Sequence, residues 1–122
     1  MKKRVSIRNQ QNPGIEIQAE RCETFVSQFK GLMLRPSIGE YEGLLFYEAG
    51  ESRINTAIHM LFMRFDITVI WADKQKRVVD VKLAKAWRLA YAPQAPACYT
   101  LELHANRIAD FKIGDQLVIE NV

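Results

Sequence analysis

The spacing of apolar residues along the chain predicts a series of short β-strands, beginning at the N-terminus. Val5 and Ile7 alternate with polar neighbours, and the same alternation resumes at Ile15 after Asn12-Pro13-Gly14. A two-residue period is typical of a half-buried strand. Proline fixes φ and glycine accepts a positive φ, so Asn12-Pro13-Gly14 is typical of a turn. Residues 3–18 are therefore predicted to form a hairpin.

The rest of the chain predicts further strands and one helical turn. Residues 54–65 are mostly apolar with long side chains, which predicts a core strand with a kink near its end. Residues 67–72 are apolar on both faces, which indicates a strand covered on both sides. The other predicted strands span 43–49, 77–83, 98–103 and 116–120, with loops at 73–76 and 92–96, a turn at 114–115 and a helical turn at 106–111 that Asn106 would cap.

One segment has the period of an amphipathic helix instead. Its apolar residues fall on a single helical stripe: Cys22, Phe25, Val26, Phe29, Leu32 and Met33. Thr24 is the predicted N-cap, because its hydroxyl can accept from a free backbone N–H. Pro36 ends the helix, since proline lacks a donor and disfavours a helical conformation at Arg35. We expect Phe25, Phe29 and Met33 to lie on the sheet.

This series of elements predicts a mainly β (α+β) fold in a single domain over residues 1–122. About seven or eight short strands with one three-turn helix favour a half-open barrel or sandwich with the helix packed across it. An apolar content of 48% is sufficient for a core without disulfides or structural metal. The predicted core residues on two neighbouring strands are Val69, Trp71, Val79 and Val81.

Composition narrows the cellular setting. No apolar run approaches the ~20 residues of a membrane helix. The basic residues of Met1–Arg4 are not followed by the apolar stretch of a signal peptide, so we expect a soluble cytoplasmic protein. Cys22 and Cys98 lack CxxC spacing and are expected to be reduced thiols that act as small hydrophobes, with a disulfide as the alternative. The same lack of local ligand spacing predicts no metal and no cofactor.

The net charge of +3 is unevenly distributed. Residues 74–88 hold six basic side chains against Asp80, whereas residues 16–51 hold seven acids against three bases. A basic stretch is typical either of a nucleic-acid surface or of a solvated hairpin. No spaced aromatics on which successive bases could stack accompany Trp71 and Trp87, which favours the hairpin. We therefore expect no nucleic-acid partner.

Short motifs in a fixed order carry a family resemblance. They are Gly31-Leu32-Met33-Leu34-Arg35, Gly43 with Leu45-Phe46, Ile58-His59-Met60, Met63, Phe65, Asp66-Ile67, Asp73, Val78-Val79, Trp87-Arg88, Pro96, Leu101-Glu102-Leu103 and Gly114-Asp115. Over residues 15–120 the chain resembles the family called domain of unknown function 192. The resemblance implies a small, mainly β domain packed against a helix, and it brings no catalytic residues. Many relatives look exported, but the signal or anchor of those relatives is not seen here.

Several polar or aromatic residues stand out as candidates for chemistry. Arg35 has two interpretations: its charge interacts with the helix C-terminus, or its guanidinium binds a carboxylate or phosphate in a cavity. His59 interrupts an apolar segment, either as a hydrogen-bonded core residue or as a base or ligand. Trp87 and Arg88 follow a central strand, where the indole forms either a lid over the core or a pocket wall.

Asn55 and Thr56 complete the candidate set, because they precede His59 and carry donors and acceptors. Their simpler role is to satisfy loop backbone groups. Together with Arg35, His59, Trp87 and Arg88 they predict a site near the helix C-terminus that binds an anionic small ligand or a peptide end.

Two alternatives remain open. One is a protein-interaction or assembly module without a ligand, and the other is an uncharacterised hydrolase or transferase that uses His59 as base. The chain has no GxSxG, GxGxxG or GxxxxGK motif, and its acids are expected on polar strand faces and loops rather than as a catalytic pair. The sequence therefore favours binding over turnover.

Overall fold

The described part of the chain forms a seven-stranded β-sheet and one short helix. The computed structural model describes residues 3–22, 32, 35–54, 56–60, 62–88 and 90–122. The strands are β1 (Lys3–Asn9), β2 (Asn12–Cys22), β3 (Glu42–Ser52), β4 (Ile67–Ala72), β5 (Val78–Ala84), β6 (Ala97–His104) and β7 (Leu117–Asn121), with a 3₁₀ helix at Ala105–Asp110. The mainly β fold is confirmed. The predicted amphipathic helix, with Thr24, Phe25, Phe29 and Met33, lies outside the described residues.

The strands are ordered β5-β4-β6-β3-β2-β1-β7. Neighbouring strands are antiparallel, except that β2 and β3 are parallel. Cys22 ends β2 opposite Phe46, so its predicted place on a helix is wrong. The sheet is not closed into a barrel. Its edge strands approach each other at one end, where Val78 N donates to Asp115 O (2.8 Å) and Leu117 N donates to Lys76 O (2.9 Å).

The N-terminal hairpin is confirmed, but its turn lies earlier than predicted. Asn12-Pro13-Gly14 belongs to β2, and the turn residues are Gln10-Gln11. The reason is the side chain of Asn9, which is buried in the folded chain. Its Oδ1 accepts from Gln11 N (3.1 Å) and its Nδ2 donates to Asp115 Oδ2 (2.8 Å). This local side-chain bond sets the turn directly after Asn9.

The predicted core strand over residues 54–65 is wrong. The described residues of this segment contain no strand beyond an isolated bridge between Ile58 and Tyr91, and Ile54 is 85% exposed. Met60 and Met63 are buried on the sheet. The strand that lies between β3 and β4 in the sheet is β6. The apolar residues of the segment therefore cover the sheet instead of extending it.

Strand β4 is buried at every position, as predicted, but β5 departs from simple alternation. Trp71 pairs with Asp80 and Ala72 pairs with Val78, so Val79 is an extra residue in a bulge. Because of the bulge, Asp80 points to the same face as Trp71 and is buried. Of the predicted core residues, Val69 and Trp71 are buried, whereas Val79 and Val81 are partly buried.

Two apolar clusters cover the two faces of the sheet. The first-face cluster includes Ile7, Ile17, Leu45, Ile70, Leu101, Leu103 and Phe111. The second-face cluster includes Cys22, Leu32, Ile38, Leu44, Met60, Met63, Val69 and Trp71. The second face is therefore covered in part by loop residues, which places loops and their polar side chains over it.

Two further observations bear on the setting of the chain. Cys22 and Cys98 are buried, and neither forms a disulfide in the described chain. Burial raises the pKa of the Cys98 thiol, because it disfavours the thiolate. Within the described ranges, no helix has the length and apolarity needed to cross a membrane.

The close approach of β3 to β6 gives a test of the register. A Cβ added at Gly43 would lie 2.6 Å from Leu103 Cδ2 and 3.0 Å from the backbone oxygen of Glu102. We expect Gly43→Ala to lower the free energy of unfolding by about 1–3 kcal/mol, the usual effect of overpacking. Urea denaturation measures it. The control is Gly50→Ala in the same strand, where an added Cβ has no atom within 4 Å. Equal stability of the two variants would contradict the register.

Candidate functional site

A cavity lies beside β1, β2 and the start of β3, next to the segment that begins at Arg35. Its volume is about 230 Å³. The residues that matter for its chemistry are Arg4, Glu20, Arg35, Ser37, Ile38 and Leu44. Arg35 N donates to Leu32 O (3.2 Å), and both Leu32 and Ile38 are buried in the second-face cluster. Arg35 is thus held at the cavity between two apolar anchors.

The charged groups that line the cavity differ in whether they have partners. Glu42 Oε1 accepts from Gly39 N (3.0 Å), and Glu20 also has an interaction partner. The guanidiniums of Arg4 and Arg35 make no hydrogen bond or ion pair with any residue that the structure describes. The free donors at the cavity are therefore two guanidiniums, whose fork geometry suits a carboxylate or a phosphate.

Three of the other predicted site residues do not line this cavity. Met60 N donates to Arg88 O (2.9 Å) and Trp87 N donates to Met60 O (2.7 Å), which brings the neighbour of His59 against the turn at residues 87–88. The side chains of His59, Trp87 and Arg88 are exposed, and none of them lines the cavity of Arg35. The structure thus joins His59 to Trp87 and Arg88, and it places Arg35 with the N-terminal strands.

Thr56 has a structural role, while Asn55 lies outside the described residues. Thr56 is buried, and its Oγ1 donates to Ser52 O. Its carbonyl accepts from Trp71 Nε1 (2.7 Å), which satisfies the one donor of a fully buried indole. The tryptophan that is buried on the second face of the sheet is thus Trp71. Trp87, at 59% exposure, is not a lid over the core.

Glu102 is a notable polar residue that the sequence reasoning missed. It lies in β6 opposite Leu44 on one side and Val69 on the other, within the second face, and is 8% exposed. No residue in the described ranges forms a hydrogen bond with its carboxyl. Burial raises its pKa to about 7, because removal from water disfavours the carboxylate. Glu102 can therefore exchange a proton near neutral pH, one strand away from the cavity residue Leu44.

The expectation that acids lie on polar faces and loops is thus wrong for Glu102, as it is for Asp80. Residues Cys98, Thr100 and Glu102 alternate with Tyr99, Leu101 and Leu103, a pattern that by itself predicts one polar, solvated face. The face is buried because β6 lies in the middle of the sheet and loops cross it. No local signal in the sequence shows that coverage.

Comparison with known sequences now identifies the family. The model of domain of unknown function 192, described as "Uncharacterized ACR", matches residues 5–119. The chain belongs to this family. The match extends further toward the N-terminus than the motifs indicated, since it begins at residue 5, within β1.

Curated relatives of the chain agree with this assignment. A UPF0127 protein of Thermococcus gammatolerans is 45% identical over 98 residues, and one of Pyrococcus furiosus is 41% identical over 105 residues. These matches cover 79% and 84% of this chain; they span 62% of the first relative and 87% of the second. The chain spans 50% of the length of a relative from Thermococcus kodakarensis.

Two solved structures share the fold of this DUF192 member. A protein of unknown function from Novosphingobium aromaticivorans has a TM-score of 0.77 at 21% identity, covering 94% of this chain and 83% of its own. A Sinorhizobium meliloti protein, proposed to be a transcription regulator, has a TM-score of 0.81 at 16% identity, covering 98% and 94%. At these identities the likeness shows the fold alone.

Glu102 gives a pH-dependent test of its burial. Its pKa in the folded protein, about 7, exceeds the ordinary value of 4.5, so folding favours the protonated form. Its stabilising contribution is complete below the ordinary pKa and is lost as the pH rises toward 7. We expect Glu102→Gln to match the parent protein near pH 4 and to exceed its free energy of unfolding by about 3 kcal/mol above pH 7. Denaturation at several pH values measures this, and a pH-independent difference would contradict it.

Proposed function

We propose that this DUF192 protein is a binding domain for a small anion with an apolar body, or for the carboxylate end of a peptide. The observation that carries the proposal is the pair of guanidiniums, Arg4 and Arg35, that line a cavity of about 230 Å³ without partners among the described residues. Ile38 and Leu44 supply the apolar wall. The volume is below the ~300 Å³ at which drug-sized pockets begin, so the ligand is small.

The loop beside the cavity is held in place before any ligand arrives. Glu42 N donates to Gly39 O (3.2 Å), while Gly39 N donates to Glu42 Oε1 (3.0 Å). Buried Ile38 fixes the same loop from the other side. A loop already ordered loses little conformational entropy on binding, which supports a binding role for the cavity. The Glu42 carboxylate serves the loop and leaves the two guanidiniums for the anion.

The rival enzymatic function has less support. A general base needs a partner that orients it and a reacting group within hydrogen-bond reach. The His59 side chain is exposed and has no hydrogen-bond partner in the described part of the chain. These observations favour binding over catalysis by His59. The assembly function has support of its own at a second surface, described in the next subsection.

We also propose that the protein works in a reducing compartment, the cytoplasm. Cys22 and Cys98 are both buried, and neither forms a disulfide in the described chain. Proteins of oxidising compartments commonly pair their cysteines, and cytosolic proteins keep them reduced. Trapping of the free thiols with an alkylating reagent at the moment of cell lysis tests the proposal. A chain in which either thiol is already oxidised would contradict it.

Phenyl phosphate and benzoate are suitable probes for the cavity, with benzamide as the uncharged control. A charge-assisted hydrogen bond contributes about 1.5–3 kcal/mol, so we expect Arg35→Gln and Arg4→Gln each to raise the dissociation constant by about 10- to 100-fold. Calorimetric titration at constant ionic strength measures this change.

The matched control variant is Arg8→Gln. It makes the same charge change on the same strand as Arg4, but the Arg8 guanidinium is paired with Glu16 (2.6 Å) and does not line the cavity. We expect this variant to bind both probes as the parent protein does. An equal loss in Arg8→Gln would show that the anion is attracted without a specific site, and equal binding of benzamide would show that the negative charge is not recognised.

A further inference from the structure

Two exposed aromatic side chains occupy turn positions that glycine normally fills. Arg88 N donates to Lys85 O (3.3 Å) and closes a β-turn in which Trp87 is the third residue, with φ of 69°. Met63 N donates to Met60 O (3.3 Å) and closes a second turn with Phe62 third, at φ of 63°. A positive φ at the third turn position favours glycine, because a Cβ is strained there.

One buried residue holds both turns. Met60 O accepts from Trp87 N (2.7 Å) as well as from Met63 N (3.3 Å), and Met60 N donates to Arg88 O (2.9 Å). The Met60 side chain is buried in the second-face cluster. The core therefore imposes the strained backbone at Phe62 and Trp87. Strain of this kind persists where the surrounding structure over-determines it, often at sites of function.

The strain presents the rings to solvent. The Phe62 and Trp87 rings pack edge to face with centroids 5.2 Å apart and planes inclined at 62°. Phe62 is 50% exposed and Trp87 is 59% exposed. We call this pair the Phe62–Trp87 patch. About half of each ring remains exposed to water. The stabilisation from burying the rings within this chain is therefore small compared with the cost of the strained backbone.

The charges around the patch indicate the kind of partner. Arg64 and Arg88, which follow Phe62 and Trp87 within two residues along the chain, are exposed, and neither side chain has a partner in the described ranges. Asp66 is already engaged: Oδ1 accepts from Ala86 N (2.9 Å), and Oδ2 lies 3.4 Å from Lys85 Nζ. The free charges beside the rings are therefore positive. Successive bases need near-parallel rings to stack on, and an angle of 62° does not offer them.

We propose that the Phe62–Trp87 patch docks an acidic segment of another protein, with an apolar side chain of that segment against the two rings. The cations beside the rings receive its carboxylates. Apolar anchoring by aromatic residues with complementary charge at the rim is the usual composition of a protein interface. This surface is separate from the cavity of Arg4 and Arg35, and neither proposal depends on the other.

A short peptide that alternates leucine and glutamate is the probe. Its two counterparts replace glutamate by lysine or leucine by serine. The indole N–H signals of Trp71 and Trp87 in a nitrogen–proton NMR spectrum report binding, and Trp87→Gly assigns them. We expect the leucine–glutamate peptide to move the signal of Trp87 and to leave that of buried Trp71, while neither counterpart binds comparably.

Variants separate a docking role from a structural one. Glycine accepts a positive φ, so Trp87→Gly should keep or raise the thermal midpoint while weakening the peptide by about tenfold or more. Arg88→Gln keeps both rings and should weaken the peptide through loss of charge. The control is Lys76→Gly, which relieves a φ of 64° in a different turn and should bind as the parent protein does.

Specific results would overturn the proposal. A fall in the thermal midpoint of Trp87→Gly would make the ring pair a structural element. Equal binding of the lysine peptide, or no movement of the Trp87 signal, would contradict the proposal that the partner is acidic. A stronger response to single-stranded DNA or to anionic phospholipid vesicles would assign the patch to those surfaces. If the parent protein forms a dimer and Trp87→Gly dissociates it, the patch binds a second copy of the chain.

Discussion

The parallel pairing of β2 and β3 is the constraint on which the rest of this structure depends. Antiparallel neighbours can be joined by a tight turn, but parallel neighbours require a connection that crosses a face of the sheet. Here β2 ends at Cys22 and β3 begins at Glu42, and the described residues of the connection put Leu32 and Ile38 on the second face. Arg35 lies between these two anchors. The cavity is thus a consequence of strand direction rather than of a separate binding module.

The two faces of the sheet consequently differ in chemistry. The first face carries a cluster of apolar side chains that the strands supply, with Phe111 added from the residue after the 3₁₀ helix. The second face also holds polar groups, and most have a partner: Trp71 Nε1 bonds to Thr56 O, and Asp80 Oδ2 accepts from Gln94 N (3.0 Å). The Glu102 carboxyl is buried there and has no hydrogen-bond partner among the described residues. A buried group without a partner is expensive to keep, which makes this face, and not the first, the place to look for function.

Much of the fold was predictable from local pattern, since the strands at β1, β3, β4, β5, β6 and β7 follow alternation or continuous apolar runs. What local pattern could not give was strand order. Residues 54–65 are apolar enough to form a core strand. The sheet instead has β6 between β4 and β3, and the segment covers the sheet. The burial of Glu102 could not be predicted for the same reason, because it depends on the strand order. Arg35 and His59 lie on different segments over the sheet, and His59 does not line the cavity of Arg35.

Both proposed surfaces nevertheless rest on one group of buried side chains. Leu32 and Ile38 hold the loop of Arg35, and Met60 holds the turns of Phe62 and Trp87; all three belong to the second-face cluster. Substitutions at the exposed residues of the two surfaces share no partner, so their effects on stability should be independent. A substitution within the cluster loosens both surfaces at once. The two surfaces therefore differ in their chemistry, but the same second-face cluster supports both of them.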